Sequence, residues 1–214
     1  MSRAEAQQFA DSHPFRLFPT LVWRVALADE VSARVNSAVL SALAELRAAL
    51  PPLKLGEGWQ SPQDLHRRPP FAELVACIDA AAAEVLQFLR IGHAAPYITG
   101  CWLNVLAPGR AHPAHSHPNN FLSGVYYVQT QAGADAVNFH DPRPQAAVIR
   151  PPVTALTADN TDQVVVPVKD GALLLFPSWL VHSVDANQSS EERISVSFNM
   201  MFPDYAEVIS TPMW

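Results

Sequence analysis

The sequence predicts an α+β fold in which two helices support a β-sandwich or rolled barrel. Two amphipathic segments precede residue 95, and a series of short, apolar or alternating segments follows from residue 97 onward. The chain has 19 prolines and only 8 glycines, and the prolines cluster from position 108, where they separate short strands. Helices followed by several short strands are typical of this class of fold.

The helical part is expected to contain two amphipathic helices that pack on one sheet. The first is predicted to begin at Asp29, because acidic residues are favoured at a helix N-terminus, and to end before Pro51. The second is predicted to begin near Pro70 and to end at Gly92. The apolar residues of the first helix recur at helical spacing; they are Val31, Val35, Val39, Leu43, Leu46 and Leu50.

The strands are expected at positions rich in apolar, aromatic and β-branched residues. An edge strand interrupted by Pro19 is predicted over residues 15–25, and a loop carrying Trp59 over residues 56–62. The remaining strands are predicted over residues 97–105, 122–128, 136–139, 164–168, 172–176 and 194–201.

Length and composition restrict the class of protein. A chain of 214 residues without a low-complexity linker predicts one domain, with a helical support over 15–95 and a β core over 97–203. The net charge of −6 argues against nucleic-acid binding, and no apolar segment is long enough to span a membrane. The N-terminus has no secretory pattern and the two cysteines have no metal-binding spacing, so we expect a soluble cytoplasmic protein with a small-molecule or peptide substrate. The sequence does not determine its oligomeric state.

Three histidines predict a metal site. His115 and His117 are separated by one residue, and side chains two apart on a strand leave the same face, so both imidazoles can reach one ion. His182 follows an apolar strand and supplies a third candidate ligand. Imidazole nitrogens favour a transition metal over calcium or magnesium, and we expect iron.

Arg193 and Ser195 repeat this spacing with a cation and a hydroxyl. Guanidinium groups bind carboxylates through two parallel hydrogen bonds, so this pair is suited to an anionic co-ligand, and a dicarboxylate could bridge it to the metal. A surface ion pair of Arg193 with Glu191 or Glu192 is the alternative interpretation.

These segments together resemble the iron(II)- and 2-oxoglutarate-dependent oxygenases. The resemblance is carried by His115-x-His117, the strand from Leu122 to Val128, the strand from Gly171 to Pro177, His182 and Arg193-x-Ser195. More narrowly, the chain is similar to a bacterial branch of 2OG-Fe(II) oxygenases whose members are little characterised; this similarity rests on Leu17 to Thr20, Gly58 to Ser61, Asp141 to Arg143 and Phe176 to Trp179.

The resemblance implies a double-stranded β-helix core, also called a jelly roll and similar to the cupin fold, with the metal at its open end. It implies Fe(II) and 2-oxoglutarate as cofactors and His115 and His182 as first and last metal ligands. Arg193 would bind the distal carboxylate of 2-oxoglutarate, with support from Ser195 and the Tyr127 hydroxyl. The activity implied is hydroxylation of an undetermined substrate by a dioxygenase.

The sequence departs from this family at one ligand, because most members have an acid where this chain has His117. Three interpretations are open: a three-histidine iron site, a site whose carboxylate comes from elsewhere, or an altered and inactive site. Asp141 is the candidate external carboxylate, and His112 is a candidate replacement imidazole.

Candidate pocket residues are Asn104, Asn119, Trp179 and Arg143, each of which has an alternative role in packing or in a turn. Two other functions compete with the oxygenase hypothesis. One is a cupin-like three-histidine metalloprotein that does not use 2-oxoglutarate, although the glutamate expected after His117 is missing. The other is a non-catalytic ligand-binding relative with the same fold.

Overall fold

A computed structural model of the chain describes residues 10–92, 95–143 and 151–203. Within these ranges the protein contains two α-helices, two short 3-10 turns and ten β-strands. The helices are α1 (Asp29–Arg47) and α2 (Ala72–Leu89), and the 3-10 turns are Leu65–Arg67 and Pro69–Phe71. The strands are β1 (Trp23–Ala26), β2 (Gly58–Gln60), β3 (Tyr97–Leu106), β4 (His112–His115), β5 (Leu122–Gln129), β6 (Ala136–His140), β7 (Gln163–Pro167), β8 (Ala172–Pro177), β9 (His182–Val184) and β10 (Arg193–Met201).

Both predicted helices form close to their expected positions. Helix α1 begins at Asp29, with Asp29 and Glu30 in its first turn, as the dipole argument predicts. Helix α2 ends earlier than expected, because Arg90 rather than Gly92 adopts the left-handed conformation that terminates it, with φ of 55°.

The strands form two antiparallel sheets that face each other in a jelly roll. The larger sheet has the order β1-β8-β5-β10-β3-β2, and the smaller sheet has the order β4-β9-β6-β7. Strand β10 lies at the centre of the larger sheet, between β5 and β3. The predicted α+β class and double-stranded β-helix core are confirmed.

The larger sheet separates two hydrophobic cores. Alternate residues of β10, such as Val196 and Phe198, point to the helices and are fully buried with α1 and α2 in the first core. The second core lies between the two sheets and includes Phe139 of the smaller sheet with Leu174 and Phe176 of the larger one. The intervening residues of β10 therefore face the smaller sheet.

Three short strands lie where the sequence analysis placed none. Strand β2 pairs with β3 over three residues, in the segment expected to be a loop. Strands β4 and β9 pair with each other and carry His115 and His182. Strands of three or four residues are too short for their alternation to be distinguished from loop sequence.

The edge strand predicted over residues 15–25 was placed too early. Strand β1 occupies only Trp23–Ala26, and Phe15 and Phe18 are exposed. Pro19 lacks the N–H that a ladder needs, and Phe18 has a φ of 53°, which is incompatible with a strand. None of the helices in the described ranges has the length and apolar character needed to cross a membrane.

Candidate metal centre

Three histidines converge between the two sheets. His115 of β4 and His182 of β9 are opposite each other in the antiparallel pair, which brings their side chains together. One ring nitrogen from each of His115, His117 and His182 lies within 4.8 Å of those of the other two. The structure therefore brings together all three histidines that the sequence predicts as ligands. A spacing of this size allows one transition-metal ion to be bound after small ring rotations.

His117 reaches this cluster from a loop rather than from a strand. Strand β4 ends at His115, so the expected alternation along one strand does not place the second imidazole. Instead, the backbone N–H of His117 donates to the carbonyl of buried Ser178 at 2.9 Å, which joins this loop to the turn after β8. The His117 ring lies 5.9 Å, centroid to centroid, from that of Trp102.

Hydrogen bonds to carbonyl groups orient two of the rings. Nδ1 of His115 lies 2.8 Å from the Pro113 carbonyl oxygen, and Nδ1 of His182 lies 3.0 Å from that of Leu180. A carbonyl oxygen only accepts, so in each ring Nδ1 carries the hydrogen and Nε2 keeps its lone pair. This is the tautomer that metal-binding histidines use when Nε2 is the ligand.

Burial keeps two of the three imidazoles neutral. It lowers the pKa of His117 to about 4, and neighbouring histidines add to the effect. Burial also lowers the pKa of His182 to about 4, although the hydrogen bond to Leu180 acts in the opposite direction. Both imidazoles are therefore unprotonated at neutral pH, as metal binding requires.

The two alternative ligands lie outside this group. His112 is stacked on His115, with ring centroids 4.5 Å apart and planes within 14°. Asp141 forms an ion pair with Arg143 at 2.8 Å, which occupies its carboxylate. In the described part of the chain, the three-histidine cluster contains no carboxylate.

Arg193 lies on the inner face of β10 as a buried cation. Its side chain is among the buried polar groups, with the residue only 3% exposed, and its Cζ lies 5.2 Å from the Tyr127 ring centroid. Its one recorded hydrogen bond is a long one, 3.5 Å, from a terminal nitrogen to the Ala136 carbonyl. The ion pair with Glu191 or Glu192 considered from sequence does not form; Glu192 pairs with Arg47 instead.

Two buried polar atoms on neighbouring side chains form no hydrogen bond of good geometry among the described residues, although the two side chains are close enough to interact with each other. They are Nε of Arg193 and the hydroxyl oxygen of Tyr127. Burial lowers the pKa of Arg193, but guanidinium remains charged at any physiological pH. A buried cation without an acid is costly, and a carboxylate ligand would satisfy both groups.

The cation and the histidine cluster lie on the same side of the larger sheet. Ser195 is paired in register with Tyr127 of β5 and with Asn104 of β3, so these side chains share the inner face with Arg193. Burial lowers the pKa of His112 to about 4, and the positive charge of Arg193 is one of the further contributions. A ligand with an anionic end at Arg193 can therefore extend towards the histidines.

The predicted pocket residues have different surroundings. Asn104 is buried and bonded on both sides, to Gln60 and to Ser197. Trp179 is 55% exposed, immediately after Ser178, at the edge of the cluster. Asn119 has a φ of 63° and is exposed, as a turn residue would be, and Arg143 is exposed and paired with Asp141.

Several inner-face residues were missed by the sequence analysis. Gln60, Ser123, Ser197 and Asn199 lie on this face together with Asn104. Ser197 and Asn199 could have been found from the sequence, because polar and apolar residues alternate strictly from Arg193 to Met200.

A cavity of about 520 Å³ elsewhere in the protein lies between α2 and β3, on the helix side of the sheet.

Residues 100–199 match the family model described as "Putative 2OG-Fe(II) oxygenase". The matched segment is just under half of the chain and contains the three histidines, Tyr127 and Arg193. It confirms the resemblance: the β core of this chain is similar to that of the iron(II)- and 2-oxoglutarate-dependent oxygenases. No curated protein matches the sequence at a significant level.

Solved structures with the same fold cover nearly the whole chain. The α-ketoglutarate-dependent carbocyclase SnoK from nogalamycin biosynthesis is 15% identical, with a TM-score of 0.61, over 90% of this chain and 87% of its own. HygX from Streptomyces hygroscopicus, with nickel and 2-oxoglutarate bound, is 14% identical, with a TM-score of 0.59, over 86% and 83%. A Trichoplax adhaerens prolyl hydroxylase in complex with a hypoxia inducible factor peptide is 15% identical, with a TM-score of 0.58, over 89% and 87%. Such low identities establish the fold alone.

Proposed function

We propose that this protein is an iron(II)- and 2-oxoglutarate-dependent dioxygenase. The observation that carries the proposal is Arg193, a buried guanidinium with no acidic partner in the described residues, on the same side of the sheet as a cluster of three histidines. A dicarboxylate satisfies both features, because one end can pair with Arg193 while the other reaches an ion on the histidines.

His115, His117 and His182 would bind the metal through their free ring nitrogens. Three imidazoles leave the full charge of a divalent ion uncompensated, whereas a site with a carboxylate ligand compensates part of it. An anionic co-ligand is therefore favoured more strongly here than in a two-histidine, one-carboxylate site. We propose that His117 replaces the usual acid and that neither Asp141 nor His112 does so; the ion pair of Asp141 with Arg143 supports this assignment.

Tyr127 and Ser195 would complete the carboxylate site. Within the described residues the Tyr127 hydroxyl has no hydrogen bond of good geometry, and Ser195 lies opposite Tyr127 in register. When bound, iron and 2-oxoglutarate supply the oxidative chemistry that activates dioxygen. The protein binds and orients the co-substrate, keeps His117 and His182 unprotonated, and excludes bulk water by packing Phe139 and Phe176 against His182.

A thermal-shift experiment tests this proposal. The protein is loaded with Fe(II) under anaerobic conditions, and its melting temperature is recorded with increasing 2-oxoglutarate. We expect a rise that requires both metal and 2-oxoglutarate, since a ligand that binds only the folded state stabilises it. His182→Ala should remove the metal-dependent rise. His140→Ala is the matched control, because His140 is hydrogen-bonded to Ser183 and lies outside the ligand cluster.

The competing functions give different results in the same experiment. A cupin-like metalloprotein would be stabilised by metal but not further by 2-oxoglutarate. A non-catalytic relative would show weak or no response to the metal. Either pattern in the wild-type protein would contradict the oxygenase proposal.

Several broader features belong to the proposal. We infer that residues 1–214 act as one domain and that the substrate is a small molecule or a peptide rather than nucleic acid. A reducing, cytoplasmic location is supported by Cys77 and Cys101, which are both free thiols.

A further inference from the structure

The inner face of the larger sheet carries a row of neutral polar side chains to which the proposed cofactors assign no role. Its members come from four adjacent strands, β2, β3, β10 and β5. We call them the polar row, and they are Gln60, Asn104, Ser197, Asn199 and Ser123. Ser197 and Asn199 are half-buried and Gln60 is exposed, so this part of the face is open to a ligand.

Internal hydrogen bonds orient the polar row. The Gln60 amide donates to Oδ1 of Asn104 at 2.7 Å, and the Asn104 amide donates to the Ser197 hydroxyl at 2.8 Å. The Ser123 hydroxyl donates to Oδ1 of Asn199 at 2.7 Å. The Ser197 hydroxyl hydrogen and both amide hydrogens of Asn199 are not used in these bonds. The row therefore offers preoriented donors to a ligand.

The polar row lies next to the histidine cluster. Ser197 is paired in register with Trp102, whose ring contacts that of His117. Ser123 is paired with Phe176, whose ring centroid lies 4.7 Å from that of His182. A substrate bound to Ser197 and Asn199 would therefore be close to an ion on the histidines.

The chemistry of the row selects a neutral ligand. All five members are uncharged amides or hydroxyls, whereas an acidic or basic substrate group needs an opposite charge when it is desolvated. Besides Arg193, a second cation near this face is Arg110, whose side chain would contact a Cβ placed on Gly58. Gly58 and Arg193 are both paired in register with Leu106 of β3. Arg110 therefore lies at the Arg193 end of this face and away from Asn199.

An exposed aromatic ring lies at the edge of the same site. Trp179 follows Ser178, whose carbonyl accepts the hydrogen bond from His117, and is 55% exposed. An indole combines a large apolar face with a polar edge, and it can pack on the C–H face of a ring whose hydroxyls bond elsewhere. Neutral hydrogen-bonding groups beside an exposed indole match a hydroxyl-rich ring better than an acyl chain or a charged amino acid.

We propose that the substrate is a neutral, hydroxyl-rich molecule of the sugar or polyol class, and that Asn199 and Ser197 determine this specificity with Trp179. This inference rests on the proposed oxygenase function and deepens it. A site built to bond substrate hydroxyls discriminates strongly against analogues without them, because its donors are then left unpaired.

The test uses the full chain loaded with Fe(II) and 2-oxoglutarate, and it measures succinate formation in air. The probes are neutral monosaccharides, disaccharides, methyl glycosides and cyclitols. The comparison probes are free amino acids, short peptides and fatty acids. We expect at least one hydroxylated probe to increase succinate formation several-fold and its deoxy analogues to do so much less. Stimulation by peptides, amino acids or fatty acids alone would overturn the inference, as would no stimulation by any hydroxylated probe.

Variants separate substrate recognition from 2-oxoglutarate binding. Asn199→Ala should lower kcat/KM for the stimulating probe about tenfold, the value of one good hydrogen bond, with the Kd of 2-oxoglutarate within twofold of wild type. Trp179→Ala should lower kcat/KM for the same probe by a similar factor, and Trp179→Phe should keep most of the wild-type kcat/KM. Asn36→Ala is the matched control, because Asn36 bonds Tyr126 on the helix side of the same sheet.

Three outcomes separate the possible failures. An equal weakening of 2-oxoglutarate binding and probe response in Asn199→Ala would overturn the inference, because the row would then belong to the co-substrate site. If the wild-type protein did not bind 2-oxoglutarate, the proposed function would be overturned as well. Normal 2-oxoglutarate binding without a response to hydroxylated probes would overturn only the substrate class.

Discussion

The two faces of strand β10 have opposite chemistry, although they alternate residue by residue. Ile194, Val196, Phe198 and Met200 point to the helices and are buried in the main hydrophobic core. The intervening Arg193, Ser195, Ser197 and Asn199 face the smaller sheet and the three histidines. One strand of nine residues thus contributes both to stability and to the candidate site.

The difference shows which residues the fold requires. Apolar side chains on the helix side gain free energy by burial, and their removal leaves cavities. The polar side chains on the inner face gain little from folding, and Arg193 even opposes it, because a buried charge without a partner is costly. Residues that do not stabilise the fold and are nevertheless buried are best explained by a ligand.

Phe198→Ala should have the largest effect on stability. Phe198 is fully buried between β10 and the helices, and its removal should lower the free energy of unfolding by about 3–5 kcal/mol. Urea denaturation measures this loss. Ser197→Ala, one residue away on the other face, should cost about 1 kcal/mol or less. Equal losses in the two variants would contradict the division between the two faces.

Arg193→Leu should separate function from stability. Removing one partner of a buried charge pair costs about 3 kcal/mol, so affinity for 2-oxoglutarate should fall about a hundredfold or more. The ligand-free protein should be at least as stable as wild type, because an unpaired buried cation is removed. Calorimetric titration and thermal melting measure the two quantities.

Arg47→Leu is the matched control for Arg193→Leu. Arg47 is also a largely buried guanidinium, but it pairs with Glu192 at 2.8 Å, and it belongs to α1 on the helix side. Its replacement should leave 2-oxoglutarate affinity unchanged. If Arg193→Leu instead strongly destabilised the ligand-free protein, Arg193 would have a structural role.

Substitutions of His117 test whether the loop histidine is a metal ligand. His117→Asp introduces the acid usual in the oxygenases that the chain resembles, so iron affinity should be retained or increased. His117→Ala should reduce it about tenfold or more. Equilibrium metal binding, measured under anaerobic conditions, distinguishes these results. Unchanged affinity in the alanine variant would remove His117 from the ligand set.

The pH dependence of stability tests the burial of two of the histidines. The pKa of His182 and that of His117 are lowered to about 4 in the folded protein, against about 6.5 in an unfolded chain. Between these values the unfolded state binds more protons, so the metal-free protein should lose stability as pH falls from about 6.5 to 4. Melting temperatures measured across this range should fall less steeply in His182→Phe. A profile that is the same in that variant would contradict the assigned burial of this histidine.

Much of the fold follows from local sequence patterns. Helices α1 and α2 and the longer strands have clear periods, and Asp29 marks a helix start. The spacing of His115 and His117 and the position of His182 after an apolar strand predict a shared ion, but the pairing of strands β4 and β9 could not be predicted, because both strands are too short to be recognised. The position of His117 in a loop depends on a bond to the distant Ser178, which no local pattern contains. The polar row likewise becomes visible only when four strands are brought into register.

The joint role of Arg193 and the three histidines is tested most directly by an anaerobic titration of the metal-free protein with Fe(II) and then with 2-oxoglutarate. A weak visible charge-transfer band should form only when both Fe(II) and 2-oxoglutarate are present. The Arg193→Leu variant should not show this band at the same 2-oxoglutarate concentrations. Absence of the band in the wild-type protein, at saturating Fe(II) and 2-oxoglutarate, would contradict the claim that the inner face of β10 and the three histidines form one co-substrate site.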